Sequence, residues 1–369
     1  SFERASMRQL MIAPLLGGPP LTTPGAAQDS PDLRRQLAAM QAEIERLSHE
    51  VAELEAEQRA EPVETQPASA PTNASSQNLP KTTASDGFSL KPRGRLQIDS
   101  AVVEAPASLG VGDSLGWGTE IRRAYLGVDG TLPGGFGYRV EADLAASEVE
   151  LTDVYLTYKA SPQLTLTLGQ HKTFSGLEDT TSDLFTSMLE RAAFTSAFGF
   201  ERRVGFSGTY NGEDVVVQLG VFTDDAAALG SDSNGNYSLD GRVVFSPQIG
   251  SGTLHLGASA HYRELGDTAA TVRYRARPFV HTTDVRLVDT RALSATGERH
   301  FGGELAYING PFHASVEGHR MTAVRPGQPD PSFWGGYAEV GMLLTPGHKT
   351  GYRRGAYDRV PPVNPLTAG

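Results

Sequence analysis

At 369 residues the chain is long enough for one large domain with appendages or for two domains. A formal net charge of −11 argues against a nucleic-acid partner, and the absence of cysteine suits passage through an oxidising envelope compartment. No run approaches ~18 consecutive apolar residues, which excludes a membrane-spanning helix but not a β-barrel, and 39% hydrophobic content with 41 glycines fits strands that are apolar on alternate residues only.

In chain order, Met7-Arg8, the apolar stretch Leu10 to Leu16 and then Gly25-Ala26-Ala27 have the charged, apolar and small-residue sequence of a secretory signal, so 1–27 reads as a signal or upstream segment. Leu33, Leu37, Met40, Ile44, Leu47, Val51 and Leu54 alternate steps of four and three, the seam of a short coiled coil over 28–59, entered through Ser30-Pro31. A lone amphipathic helix lying on the domain is the alternative. Residues 60–87 are rich in Pro, Ser, Thr, Ala and Gln without periodicity and read as a disordered linker.

From Phe88 onward the pattern becomes period-two alternation. It marks about thirteen strands, at 90–102, 119–132, 136–146, 149–160, 163–171, 202–211, 214–223, 236–247, 253–263, 270–280, 298–309, 311–323 and 332–344. Tight turns such as Pro133-Gly134-Gly135, Asn211-Gly212 and Asn309-Gly310-Pro311 alternate with long segments such as 103–118, 172–201 and 224–235, the two-rimmed arrangement of an outer-membrane barrel. In 136–146, Phe136, Tyr138, Val140, Ala142 and Leu144 oppose Arg139, Glu141 and Asp143. A soluble sandwich alternates in the same way, with the faces reversed; the strand number exceeds that of an ordinary sandwich. The fold class read from this is all-β, an antiparallel transmembrane β-barrel over 88–369 preceded by a short helical coiled coil.

Arg273, Arg275 and Arg277, spaced by two, share one face if 270–280 is a strand. Rungs ~6.6 Å apart repel by ~2.5 kcal/mol at an effective dielectric of 20, a cost more readily accepted where anions sit among them. The alternative is a charged edge strand that discourages aggregation.

Several segments in order resemble the phosphate-selective porins O and P of Gram-negative outer membranes. They are Lys91-Pro92-Arg93-Gly94-Arg95-Leu96-Gln97, Arg122-Arg123-Ala124-Tyr125-Leu126-Gly127, Asp153-Val154-Tyr155-Leu156-Thr157-Tyr158, Leu168 to Lys172 through Gly176-Leu177-Glu178, Leu189 to Phe194, and the arginine triplet. The resemblance implies a trimeric sixteen-stranded barrel with an inward loop, an arginine ladder leading anions to a constriction, and no cofactor or catalysis. It implies inorganic phosphate or other small anions as solutes, outer-membrane lipid around the wall, and a coiled coil in the periplasm. Thirteen strands, and an end at Pro365 to Gly369 without a terminal aromatic, lead to the expectation of a C-terminal truncation.

By the same resemblance 172–201 is the inward loop, with a short helix expected from Asp183-Leu184-Phe185 and Met188 to Arg191, and Arg122, Arg123, Tyr125, Asp153 and Arg191 line the constriction. Adjacent Arg122 and Arg123 cannot both face the lumen of a regular strand, so one is expected at a bulge, a subunit contact or the interface, with Arg123 in the lumen. Glu178, Asp179 and Asp183 belong to the constriction loop; Asp179 stands where a phosphate-selecting member has lysine, and Lys172 restores part of that charge. Strict phosphate selectivity and a general porin for small polar solutes therefore both stay open. An outer-membrane enzyme is the competing class, with His171, His281 with Asp284, and Glu178 with Asp179 as candidate groups, but no nucleophile motif or metal spacing accompanies them. A soluble carbohydrate-binding β-protein is a third class.

Overall fold

The computed structural model describes residues 46, 82–83, 87–106, 108, 110, 115–145, 149–230, 235–266 and 270–363. The expected signal segment, and nearly all of the coiled coil and of the linker, lie outside the described residues. Twelve strands of eight residues or more carry the fold. They are β1 (Ser89–Val102), β2 (Trp117–Leu132), β3 (Phe136–Asp143), β4 (Glu150–Lys159), β5 (Leu164–Lys172) and β6 (Arg202–Asn211), then β7 (Val215–Phe222), β8 (Tyr237–Phe245), β9 (Gly252–Glu264), β10 (Gly297–Asn309), β11 (Phe312–Val324) and β12 (Ser332–Met342).

Each strand pairs antiparallel with the next in sequence, and the short ladders Thr82–Thr83 on β1 and Gln248–Ile249 on β9 complete one sheet of fourteen strands. Nearest-neighbour pairing is what two- to six-residue turns permit, and 133–135, 160–163, 212–214, 246–251 and 310–311 supply them along one rim. All long connections, 103–116, 173–201, 223–236 and 265–296 among them, lie on the other rim.

Burial is inverted relative to a water-soluble sheet. Leu96, Ile98, Leu126, Leu156, Leu168, Leu219, Leu239, Phe301 and Val316 are exposed, whereas Asp153, Asp240, Arg242, His255, His300, Glu304, Glu317 and His319 are buried on the opposite face. Exposed aromatics mark both ends of the apolar band: Trp117, Tyr237, Tyr262 and Trp334 toward the long connections, and Phe136, Tyr158, Tyr210, Phe245 and Phe312 toward the short turns. An apolar band between aromatic girdles matches a hydrocarbon layer with its two interfaces.

The charged face is concave. Segment 173–201 is touched by Arg95 of β1 through Asp183 and by Glu317 of β11 through the Glu178 amide, so the two ends of the sheet curl around one loop.

One expected strand is corrected. Residues 270–280 do not join the sheet; β9 pairs directly with β10, and the intervening segment folds back on itself through two-residue ladders, Thr271–Val272 with Leu293–Ser294 and Arg275–Ala276 with Val288–Asp289. Alternation survives because Val272, Tyr274 and Ala276 bury themselves against Phe194 and Phe198, leaving Arg273 and Arg275 exposed and Arg277 half-buried. The triplet therefore lies on a long-rim connection and not on the sheet wall.

Candidate functional site

The inward segment 173–201 carries two helical turns, α1 (Leu177–Thr180) and α2 (Ala193–Ala197). The short helix expected from 183–191 is absent, and local chemistry gives the reason. The Glu178 carboxylate accepts from Ala192 N at 2.9 Å and Thr195 Oγ1 at 2.7 Å, capping the helix so that it starts at Ala193. Asp183 and Glu190, which an isolated helix leaves free, are both drawn to the wall.

One side of the loop is docked. Glu317 Oε2 accepts from Glu178 N at 2.8 Å and its Oε1 meets His319 Nε2 at 3.0 Å. Phe194 stacks on His319 with ring centroids 4.6 Å apart, and Phe200 meets the edge of His300. Gly176 and Gly335 permit this approach, since a Cβ at either would collide with Glu317 or Phe194. From the short-turn rim, Tyr352 and Tyr357 pack on the fully buried Leu177.

The other side faces the wall of β1 to β6, where charged groups converge. Arg95 Nη1 donates to Asp183 Oδ1 at 2.7 Å and Arg123 Nη2 meets Asp183 Oδ2 at 2.9 Å. Arg122 Nε reaches Glu190 Oε1 at 3.4 Å. Asp153 is held between Arg202 Nε at 2.7 Å and Arg139 Nη1 at 3.3 Å. Lys172 Nζ lies 3.3 Å from Asp179 Oδ1 and donates to Asp179 O at 2.6 Å, while Arg191 Nη2 donates to Thr181 O at 2.8 Å.

Three polar cavities run between loop and wall. Arg123, Tyr125, Asp153, Lys172, Asp183 and Arg191, together with Arg139 and Arg202, line one of about 430 Å³. Arg93 and Arg95 join Arg139, Asp153, Asp183 and Arg202 around a second of about 520 Å³, and Arg122, Arg123, Asp179, Asp183 and Arg191 border a third of about 210 Å³. Asp183 is shared by all three.

Arg122 and Arg123 both point inward. The β1 and β2 register shifts between Gln97 and Ile98, leaving Arg122 as the extra residue of a bulge, so consecutive side chains reach the same face. Asp179 is buried on Ser175 Oγ and Lys172, which take up its carboxylate at the border of the third cavity. Burial alone would raise its carboxyl, but the charges of Lys172 and Arg191 and the bond from Ser175 hold it below the ordinary aspartate value. For Asp183 burial is likewise outweighed, by the hydrogen bond from Arg95 and the charges of Arg123 and Arg191, and its pKa is lowered.

The structure places Arg273, Arg275 and Arg277 apart from this cluster. Arg273 holds Asp289 through Nε at 2.8 Å and Nη2 at 2.5 Å, and Arg277 Nη2 meets Asp284 at 3.1 Å. With Arg286 and Arg291 the connection carries five arginines against those two aspartates over residues 270–291. Arg93, Arg95, Arg139 and Arg202 were missed as site residues. Arg93 and Arg95 show the same spacing of two as the triplet, here on a true strand, and Arg139 alternates with the apolar face of β3.

The enzyme candidates have structural partners: His171 bonds Ser207 Oγ and Lys172 O, His281 bonds Glu120, and Glu178 caps α2. Among the described residues no group of three or more His, Cys, Asp or Glu is placed to hold a metal ion.

An antiparallel meander with an apolar outer face, aromatic girdles and a charged inner face folded around an inward loop belongs to the class of outer-membrane porins. The chain is a member of the phosphate-selective porin O and P family, whose model matches residues 90–367. It is 43% identical over 320 residues to an uncharacterised protein of Caulobacter vibrioides, covering 84% of this chain and 64% of that protein, so it spans less than two thirds of that relative's length. It is 27% identical over 324 residues to Porin O of Pseudomonas aeruginosa, covering 78% of this chain and 71% of the relative. Among solved structures, a loop L8 deletion mutant of the Vibrio cholerae outer-membrane protein OmpT aligns with a TM-score of 0.47 at 13% identity, covering 72% of this chain and 80% of the other.

Proposed function

We propose that the protein gives passive diffusion of small anions, inorganic phosphate among them, through a water-filled path between the inward loop and the wall of β1 to β6. The observation that carries this reading is the convergence of Arg95, Arg123, Arg139, Arg191, Arg202 and Lys172 on three neighbouring cavities that share Asp183 and are bordered by three aspartates. Guanidinium forks replace the water that an oxyanion sheds on entering, and several shallow sites in series let it leave again. Arg273, Arg275 and Arg277 belong to this proposal as an entrance field on the long rim, gathering anions before the constriction.

A second reading, a general porin for small polar solutes, is favoured by one feature: the inward arginines meet carboxylates, Arg95 and Arg123 on Asp183, Arg139 and Arg202 on Asp153. A sixteen-stranded homotrimeric barrel in outer-membrane lipid, of which the twelve long strands form a part, with the coiled coil on the periplasmic side, completes the reading and rests on family membership.

Planar-bilayer recording of the full-length protein under a potassium chloride gradient tests it. The reversal potential is expected to lie on the anion side, and a potential on the cation side, or at zero, overturns the anion reading.

A further inference from the structure

We propose that Asp183 is an internal counter-anion, and that a solute oxyanion passes the constriction by taking the place of its carboxylate between Arg95 and Arg123. This rests on the anion-path reading above and assigns to one residue the control of how long an anion stays.

Arg95 and Arg123 stand on neighbouring strands, and each gives one terminal nitrogen to one oxygen of the same carboxylate, at 2.7 and 2.9 Å. The three side chains are only 18%, 11% and 21% exposed, so the pairing is sheltered from bulk water and its charges are weakly screened. A fork that reads the two oxygens of a carboxylate reads two oxygens of a phosphate by the same geometry.

Among Asp153, Asp179, Asp183 and Glu190, Asp183 has the placement that exchange requires. Asp179 is 5% exposed and enclosed by Lys172 and Ser175. Asp153 belongs to β4 and is fixed to the wall between Arg139 and Arg202. Glu190 meets Arg122 at 3.4 Å and borders only the third of the polar cavities.

Asp183, by contrast, is carried by the loop, reaches across to the wall and borders all three cavities. Its backbone is anchored independently of the carboxylate. Phe185 N donates to Ser182 O at 2.8 Å, and Thr181 accepts at its carbonyl from Arg191 and at its hydroxyl from Tyr357 N. A rotation of the side chain is therefore enough to vacate the fork while the turn stays in place. Arg191, whose charge already acts on Asp183, borders two of the same cavities from the loop itself.

The charge balance sets the consequence. Two guanidinium groups and one carboxylate leave a single positive charge, which attracts a second anion without binding it deeply. With the carboxylate gone the fork offers two positive charges to the solute alone, and a pass-through site becomes a trap.

The test is inorganic phosphate titrated against chloride current through single channels of the full-length protein in planar bilayers. In Asp183→Asn the half-blocking phosphate concentration is expected to fall by about tenfold, the scale of one charge-assisted hydrogen-bond competitor. Asp183→Glu, which keeps the carboxylate, is expected to stay within about twofold of wild type. Arg95→Gln, which removes half of the fork, is expected to raise the half-blocking concentration by about tenfold, and it tests the exchange even if Asp183→Asn fails the heat-modifiable gel shift of a folded barrel. Equal block in wild type and Asp183→Asn, or equally strengthened block in Asp183→Glu and Asp183→Asn, overturns the proposal. So does unchanged block in Arg95→Gln. If wild type is anion-selective yet these variants behave as wild type, the exchange role fails and the anion path stands; if wild type is not anion-selective, the anion path itself fails.

Discussion

Asp179 and Lys172 show how a residue's meaning depends on a partner seven positions away. In sequence the aspartate is a negative charge in a constriction loop and the lysine its remedy; in the fold the two are paired, with Asp179 enclosed by the contact and Lys172 still bordering a cavity. The orientation was not legible, because a four-residue helical turn, α1, decides it and nothing local distinguishes the two faces of so short an element. Asp183 has the opposite fate, and the two acids together set a pH dependence. Both carboxyls lie below the ordinary 3.8 in the folded protein. A depressed carboxyl contributes its contacts fully above the ordinary value and loses them as pH falls through the depressed one. The loop is thus expected to keep its latch to Arg95 and Arg123 down to about pH 4, and to release it only below 3.8. Single-channel chloride conductance recorded from pH 5 downward checks this: a step below 3.8 in wild type, reduced in Asp183→Asn to what Asp179 contributes, is the expected result.

The inward loop shows at element scale what period-two alternation can and cannot report. It located the twelve long strands and their turns because each strand has one face in lipid and one in a polar interior, and side chains sort accordingly. It misplaced 270–280 because Val272, Tyr274 and Ala276 alternate against a cluster formed by Phe194 and Phe198 of the loop with Met321, Ala323 and Phe333 of the inner wall, and not against a strand paired beside them. Alternation tells which side is covered, not what covers it. Contacts such as Arg95 to Asp183, separated by 88 positions, leave no periodic trace at all. Docking of the loop is expected to depend on Phe194, buried between His319, Tyr337 and the bare backbone at Gly335. Phe194→Ala removes ~3–5 kcal/mol of packing from that contact, more than a loop tethered at several other points needs to fluctuate. The variant is expected to conduct with larger and noisier single-channel current while β1 to β12 stay folded, checked by bilayer recording beside gel migration. Current identical to wild type means that the loop is held without the Phe194 stack.

For the whole molecule, the same strands admit two solvent assignments that differ only in which face meets water. Leu219, in the middle of β7, separates them. It is 60% exposed on the face that carries Leu96, Leu168, Leu239 and Val316, and its cross-strand neighbours Gly208 and Gly241 leave it uncovered. In a water-soluble sheet an exposed leucine is replaced by lysine at almost no cost. In a porin wall the same substitution places an ammonium near the centre of the hydrocarbon layer, at ~2–4 kcal/mol. Snorkelling along the four-carbon stem recovers only part of that loss, because the aromatic girdles put the interfaces at the strand ends, far from Leu219. Leu219→Lys is therefore expected to lower the folded fraction in lipid vesicles by at least tenfold at the denaturant midpoint of wild type, on the scale of ~1.4 kcal/mol per decade. Leu344→Lys, whose side chain is also exposed but lies beyond the end of β12, is expected to shift it by far less. The depth dependence is the discriminating quantity. A protein surrounded by water has no depth, and equal, small effects at Leu219 and Leu344 overturn the assignment of the apolar face to lipid.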